Sequence, residues 1–242
     1  MKKLLIALMM LLVCTVACAE GATHTCGDYT YVLLADGTAE ITAYDGDDAE
    51  LVIPHELDGH PVSAIGKRAF DFNMRLVHVT VPEGVTTIGP WGFGRCASLT
   101  GVALPESLTT LADHAFFECV ALPAITLPDG VTAIGESAFY RCLALTDIRL
   151  PQALETIGCD AFANCEALTA VELPGSVTSV DDCAFMYCEA LLLVTVPESV
   201  THLGEDVFYH CSDELALMVA PDSYAEEWAI DNELICVYPD EE

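Results

Sequence analysis

Twelve cysteines hold most of the latent chemistry of this 242-residue chain. Six of them, Cys96, Cys119, Cys142, Cys165, Cys188 and Cys211, follow one another at steps of 23 residues. A regular array of thiols can bind metal, cycle through disulfides or pack. Zinc needs four ligands converging on a tetrahedron, and a straight column does not converge. Neighbouring rungs of a stack lie about 4.8 Å apart, which permits a disulfide by Cα separation, but their Cβ vectors run parallel instead of towards each other. The column is therefore expected to be a ladder of small buried residues offering S–H groups to backbone carbonyls. Cys159 and Cys183 lie outside it, in adjacent repeats and offset by one position, among polar neighbours such as Asp113, Glu136 and Asp182. A disulfide between them and two free thiols both fit that spacing. Cys26 and Cys236 belong to opposite ends of the chain and are not expected to meet.

Other chemistry-bearing stretches are weaker. His55-Glu56-Leu57-Asp58-Gly59-His60 places its histidines five residues apart in a Pro/Gly-bounded loop, so they cannot share a helical face as zinc ligands do. Asp45-Gly46-Asp47-Asp48 lacks the alternating ligands and distal Glu of a calcium loop. No nucleophile elbow or P-loop is present, and Gly92-Phe93-Gly94 is followed by Ala97, which breaks the dinucleotide fingerprint. No catalytic residue, metal or cofactor is expected.

The charge balance narrows the partners. Asp and Glu number 38 against 8 Lys and Arg, a formal net charge of -30. Such a polyanion has no basic surface with which to neutralise nucleic-acid phosphates or anionic lipid. At 53% hydrophobic and 19% charged residues the chain is nevertheless foldable. Two of the bases, Lys2 and Lys3, precede an eleven-residue apolar run, Leu4 to Cys14, and then Ala17-Cys18-Ala19. That is the form of a secretory signal peptide over 1–19, cleaved after Ala19. Thr15-Val16-Ala17-Cys18 also resembles a lipobox, which makes Cys18 the alternative site of a lipid anchor. No later apolar stretch reaches the length of a membrane span.

These residues are positioned by a repeat. Prolines recur at Pro82, Pro105, Pro128, Pro151, Pro174 and Pro197, and phenylalanines at Phe70, Phe93, Phe116, Phe139, Phe162, Phe185 and Phe208, at the same step of 23. Aliphatic columns accompany them, from Val79 to Val194 and from Ile65 to Leu203. Within one unit Ile148 and Leu150 alternate with polar residues, which predicts a strand ended by Pro151. Leu154 and Ile157 precede the turn residue Gly158. Ala161, Phe162, Cys165 and Leu168 fall at spacings of three and four, which predicts a short inward-facing helical turn. One unit cannot bury its apolar face alone, so the units are expected to stack into a continuous core, seven turns making a body on the order of 35 Å long.

Val131-Thr132-Ala133-Ile134-Gly135-Glu136-Ser137-Ala138-Phe139-Tyr140-Arg141-Cys142, following a strand that ends in Leu-Pro, resembles the BspA-like class of bacterial leucine-rich repeats. The resemblance covers about residues 49–220. Local departures are Gly92 in place of Ala and Asp181 in place of Gly, where small backbone adjustments are expected. The fold class is thus an α/β repeat solenoid of 23-residue units, with parallel strands and short helical turns. A β cap over 20–48, built on a hairpin around Asp36-Gly37, and a helical cap with an acidic tail over 221–242 are expected to cover its ends. The helical cap reads from Ser223 to Asn232, with Tyr224, Trp228 and Ala229 on one face. An insertion around Asp58-Gly59-His60-Pro61 widens the first unit.

In such a solenoid the outward strand positions make the working surface. His78, Gly101, Ala124, Asp147, Ala170 and Leu193 form one outward column. Thr80, Ala103, Thr126, Arg149, Glu172 and Thr195 form the next. Most are small. Asp147, Arg149 and Glu172 form a charged cluster, read as an ordinary surface ion pair or a binding site, and the ligand-binding candidates are His78, Thr80, Asp147, Arg149 and Glu172. A second strip, Phe117, Tyr140, Met186 and Tyr209, follows the core phenylalanines and is expected to cover the turns. The resemblance implies an exported, non-enzymatic binding module at the cell surface, with a protein or cell-surface glycan as partner. A passive envelope component, or an enzyme with its site in the caps, are the alternatives.

Overall fold

Alternation at Ile148 and Leu150 gives the three-residue strand Asp147–Arg149, and the Leu154/Ile157 pair gives a second, two-residue strand, Thr156–Ile157. Repetition of this pair winds residues into a β-solenoid of about nine turns, two more than the repeat count alone indicates, because cap strands join the stack. The computed structural model describes residues 21–239, so the expected signal peptide and Cys18 lie outside the described residues.

The two-residue strands form the longer sheet. Its parallel register stacks Ile65, Ile88, Leu111, Ile134, Ile157, Val180 and Leu203. Close approach of successive coils follows from the glycine after Ile65, Ile88, Ile134, Ile157 and Leu203, with Ala112 in its place after Leu111: a Cβ on Gly158 would stand 3.0 Å from the Glu136 backbone nitrogen. Where Asp181 replaces that glycine, its N–H still donates to the Ile157 carbonyl at 2.9 Å and the register holds. At Gly92, the other departure, the carbonyl still accepts the Phe70 N–H at 2.9 Å.

The expected helical turns are absent. From Cys159 to Leu168 the chain makes a run of turns, and the fold is a β-solenoid whose one described helix lies in the C-terminal cap. The hydrogen bonds explain the difference. Ala161, Ala163 and Cys165 donate three residues back within the coil, whereas Asp160, Phe162 and Asn164 donate to the next coil, to Asp182, Ala184 and Met186. A helix would turn every N–H inward along its own axis. Two residues per coil adopt left-handed backbone angles to allow this alternation, Asp160 at φ 54° and Asn164 at φ 61° in this unit, and the pattern runs from Arg68 and Phe72 to Asp206 and His210. Left-handed L-residues carry a steric cost, and β-branched residues the largest. Asn164→Val is therefore expected to destabilise by roughly 1–2 kcal/mol more than Asn164→Gly; equal unfolding midpoints for the two variants would show that this angle is not enforced.

Inside the coils Phe70, Phe93, Phe116, Phe139, Phe162, Phe185 and Phe208 stack with ring centroids 4.9–5.7 Å apart. The thiol ladder runs beside them. Each S–H donates to the phenylalanine carbonyl of the preceding coil, Cys142 to Phe116 at 3.3 Å and Cys165 to Phe139 at 3.3 Å. The same carbonyl accepts an N–H from its own coil, Cys119 to Phe116 at 3.2 Å, so the thiol fills its second lone pair.

The N-terminal cap holds the expected antiparallel hairpin, Tyr29–Leu33 with Ala39–Tyr44, and a polar strand, Thr23–Cys26, beyond it. The insertion expected as a solvated loop is a tight hairpin, Glu56–Leu57 against His60–Ile65, turning on Asp58 and Gly59 at φ 51° and 83°. At the other end Ser223 caps the helix Tyr224–Asp231 by accepting the Glu226 N–H at 3.2 Å. Its buried residues are Ala225 and Ala229; Tyr224 is 39% exposed but its hydroxyl accepts the Leu203 N–H at 3.3 Å, and Trp228 meets Phe208 edge-on at 6.0 Å. The strand Ile235–Val237, not anticipated, then pairs in parallel with Ala216–Met218.

Candidate functional site

The three-residue strands place their first and third residues outward and the second in the core. In an uninterrupted stack their backbone bonds run from coil to coil. Thr100 donates to Val77 at 2.8 Å, and Thr146 to Pro123 at 2.9 Å. Pro123 occupies the same column and has no N–H to give. At that rung the ladder breaks, and the strands Gly101–Ala103 and Ala124–Thr126 belong to separate sheets. The bond that Val81, Leu127, Leu173 and Val196 each make to the next coil, at 2.9–3.1 Å, has no counterpart at Leu104 among the described residues. Leu104 N–H and Thr126 C=O are thus left facing a gap. A second interruption separates Asp147–Arg149 from Ala170–Glu172, and no residue there accounts for it.

The break opens a cleft of about 420 Å³. Its lining includes the small outward residues Gly101, Ala103, Ala124 and Thr126 and three charged residues, Glu106, Asp129 and Arg149. The core is thinned beneath it: Val102 and Leu104 are only partly buried, whereas Val79 and Leu127 at equivalent rungs are buried.

Of the candidate residues, His78 and Thr80 lie on the exposed face of the strand preceding the break. The His78 imidazole lies across Gly101 and meets Glu50 at 2.8 Å. Asp147 and Arg149 are exposed on the strand after Ala124–Thr126, in register with Ala124 and Thr126. Glu172 lies beyond the second interruption and pairs in register with Thr195. The expected charged cluster does not form: no ion pair joins Arg149 to Asp147 or Glu172. Four arginines, Arg68, Arg75, Arg95 and Arg141, have carboxylate partners, and Arg149 has none among the described residues. It is also the last Lys or Arg in the chain. Glu106 and Asp129 were not recognisable as site residues from their types. The visible signal was Pro123, which stands where other units carry Val77, Thr100, Thr146 and Thr169.

Cys159 and Cys183 are separate, partly buried thiols, so the disulfide alternative is not formed; Cys26 and Cys236 are also free. Burial raises the Cys159 and Cys183 pKa values, and neighbouring carboxylates raise them further. Among the described residues no three His, Cys, Asp or Glu side chains are grouped to hold a metal ion. His55 makes a long contact of 3.9 Å with Glu56, and His60 bonds to the Gly37 carbonyl at 2.9 Å. Phe117 and Tyr140 stack at 4.9 Å, and Trp91 and His114 extend the group, with Arg68 and Arg95 over Trp91. The ring faces are largely occupied by one another. No described helix is long and apolar enough to cross a membrane.

The repeats carrying the cleft match the BspA type leucine rich repeat region, in 6 copies over residues 92–214. The chain belongs to the BspA-type leucine-rich repeat family. A leucine-rich repeat protein of T. pallidum is 30% identical to this BspA-type chain, with a TM-score of 0.59 over 82% of each chain. A leucine-rich repeat protein from Bacteroides ovatus shares the fold at 24% identity and a TM-score of 0.60, over 83% of this chain and 62% of that one. No curated protein matches the chain.

Proposed function

We propose that this BspA-type protein is an exported, non-enzymatic binding module that holds a protein or glycan at the bacterial cell surface through the face of its three-residue strands. The observation that carries this reading is the cleft beside Ala124. Small outward residues there give a partner access to backbone groups and to an unpaired guanidinium, whereas a fully laddered rung offers neither. Family membership supports an interaction role by analogy of fold. The signal-like segment 1–19 supports export, with cleavage before Glu20 or lipidation of Cys18 as the two routes.

Capture from host matrix proteins and cell-wall glycans tests the reading. Wild-type protein is expected to retain a partner that Ala124→Trp, which fills the cleft from an exposed position, does not. N-terminal sequencing of the same exported protein is expected to begin at Glu20, or to be blocked if Cys18 carries lipid. Capture unaffected by Ala124→Trp would remove this face from consideration, and no capture from either pool would favour a passive envelope component.

A further inference from the structure

The proposed binding face contains one place where ligand chemistry is specified more narrowly. We propose that the cleft at the ladder break binds a short peptide by its free ends, in an extended pose. The inference rests on the reading of this face as the binding surface.

Three groups of atoms define the ligand. Arg149 presents a guanidinium without a carboxylate partner among the described residues, unlike Arg68, Arg75, Arg95 and Arg141, and a carboxylate is its natural complement. Glu106 and Asp129 line the same cleft, and neither side chain has a hydrogen-bond partner among the described residues. In its lining too, Leu104 N–H and Thr126 C=O have lost the bond that other rungs make. The two strands still lie within 8 Å of each other, less than the roughly 9.6 Å that an inserted strand needs, so this donor and acceptor are offered to a single amide of the ligand and not to an added strand.

Net charge selects among ligands that satisfy Arg149. The chain carries -30, and the cleft itself has two acids against one base. A polyanion would be repelled by both. A zwitterion is neutral overall, presents its carboxylate to Arg149 and its ammonium to Glu106 and Asp129, and avoids that repulsion. Arg149 is in register with Thr126, and Asp129 lies three residues further along the chain. At about 3.3 Å per residue the charged ends are separated by up to about 10 Å. An extended tripeptide spans a similar distance, about 10 Å. The volume, about 420 Å³, is within the range of small-ligand sites.

Trialanine is the probe, measured by calorimetry and by amide chemical shifts of the folded chain. Trialanine is expected to bind at the cleft. Amidating its carboxyl end, or acetylating its amino end, is expected to weaken binding about tenfold each, as loss of a charge-assisted contact does. Arg149→Ala should cause the first loss and abolish the further effect of amidation. The pair Glu106→Gln and Asp129→Asn should likewise abolish the effect of acetylation. Because these positions are at the surface, unchanged melting curves will separate lost binding from lost folding. His202→Ala, exposed on the sheet of two-residue strands away from the cleft, should leave trialanine binding unchanged.

No binding of trialanine, or equal binding of the free and doubly blocked peptides, overturns the inference. If capture of a larger partner still depends on Ala124, the binding face survives that failure and only the peptide chemistry is lost. If capture is also insensitive to Ala124→Trp, both readings fall.

Discussion

Phe139→Ala is expected to lower stability by about 3–5 kcal/mol, the usual cost of truncating a buried aromatic. Phe139 is fully buried and stacks on Phe116 at 5.5 Å and on Phe162 at 5.3 Å, with interplanar angles of 7° and 1°. In a solenoid each coil is stabilised through its two neighbours. Removing this ring therefore weakens two interfaces at once and leaves a void that the rigid coil spacing cannot close. Tyr140 is the control. It follows Phe139 in the chain but is only partly buried, stacked on Phe117 at 4.9 Å across the outside of the turns. Tyr140→Ala should cost well under half as much. Urea unfolding of the three proteins measures both values, and similar losses at the two positions would reverse the inward and outward assignment.

That assignment was legible because the periodicity of a stacked repeat is written directly in residue type. Phe139, Cys142, Ile134 and Ile148 each belong to a column whose chemistry is fixed by burial, so their spacing disclosed the coil. The turns were not legible in the same way. Ala161, Phe162, Cys165 and Leu168 satisfy the spacing of a helix and of a chain of tight turns equally well. What distinguishes them is the left-handed backbone, and those positions hold Arg68, Trp91, His114, Ser137, Asp160, Cys183 and Asp206, with no common residue type. Coil-to-coil hydrogen bonds impose the conformation, and such bonds belong to the stack and not to any one segment. The two-residue strand Thr156–Ile157 escaped for a related reason: it is too short to alternate, and Gly158 beside it signals a turn.

The site was half visible. Arg149 stood out as a base among acids, and the outward columns were correctly placed on the three-residue strands. The supposed cluster with Asp147 and Glu172 assumed an unbroken ladder. Pro123 shows why that assumption fails: a missing N–H matters only when the neighbouring carbonyl that needs it is known. Glu106 and Asp129 gain their relevance from the same break, since on an intact sheet they would be two of many solvated acids.

The buried thiols should give the second large effect, a native-state resistance to alkylation at Cys119, Cys142 and Cys165. All three are fully buried, and desolvation raises their pKa values, that of Cys165 to about 12. The thiolate is the reactive species, so both its scarcity and its inaccessibility slow the reaction. Reaction requires the coils to open, and an opening free energy of about 4 kcal/mol alone slows it roughly a thousandfold. Cys211 should behave oppositely. It ends the ladder, is only partly buried, and its pKa is lowered because the Cys188 thiol can donate to its thiolate. Cys159 and Cys183, partly buried and raised by burial and nearby acids, should react slowly and singly. Timed alkylation at pH 8 with peptide mass spectrometry resolves each position, and denaturation without reductant should release the three interior thiols together. A graded order from Cys211 inwards is the signature of a stack that opens from its end. Uniform reactivity along the column would mean that the thiols are not sealed by the coils. Disulfides between successive rungs, or stoichiometric zinc, would mean that the column converges where parallel stacking forbids it, and the hydrogen bonds from each thiol to a phenylalanine carbonyl could not then be the reason cysteine occupies this position.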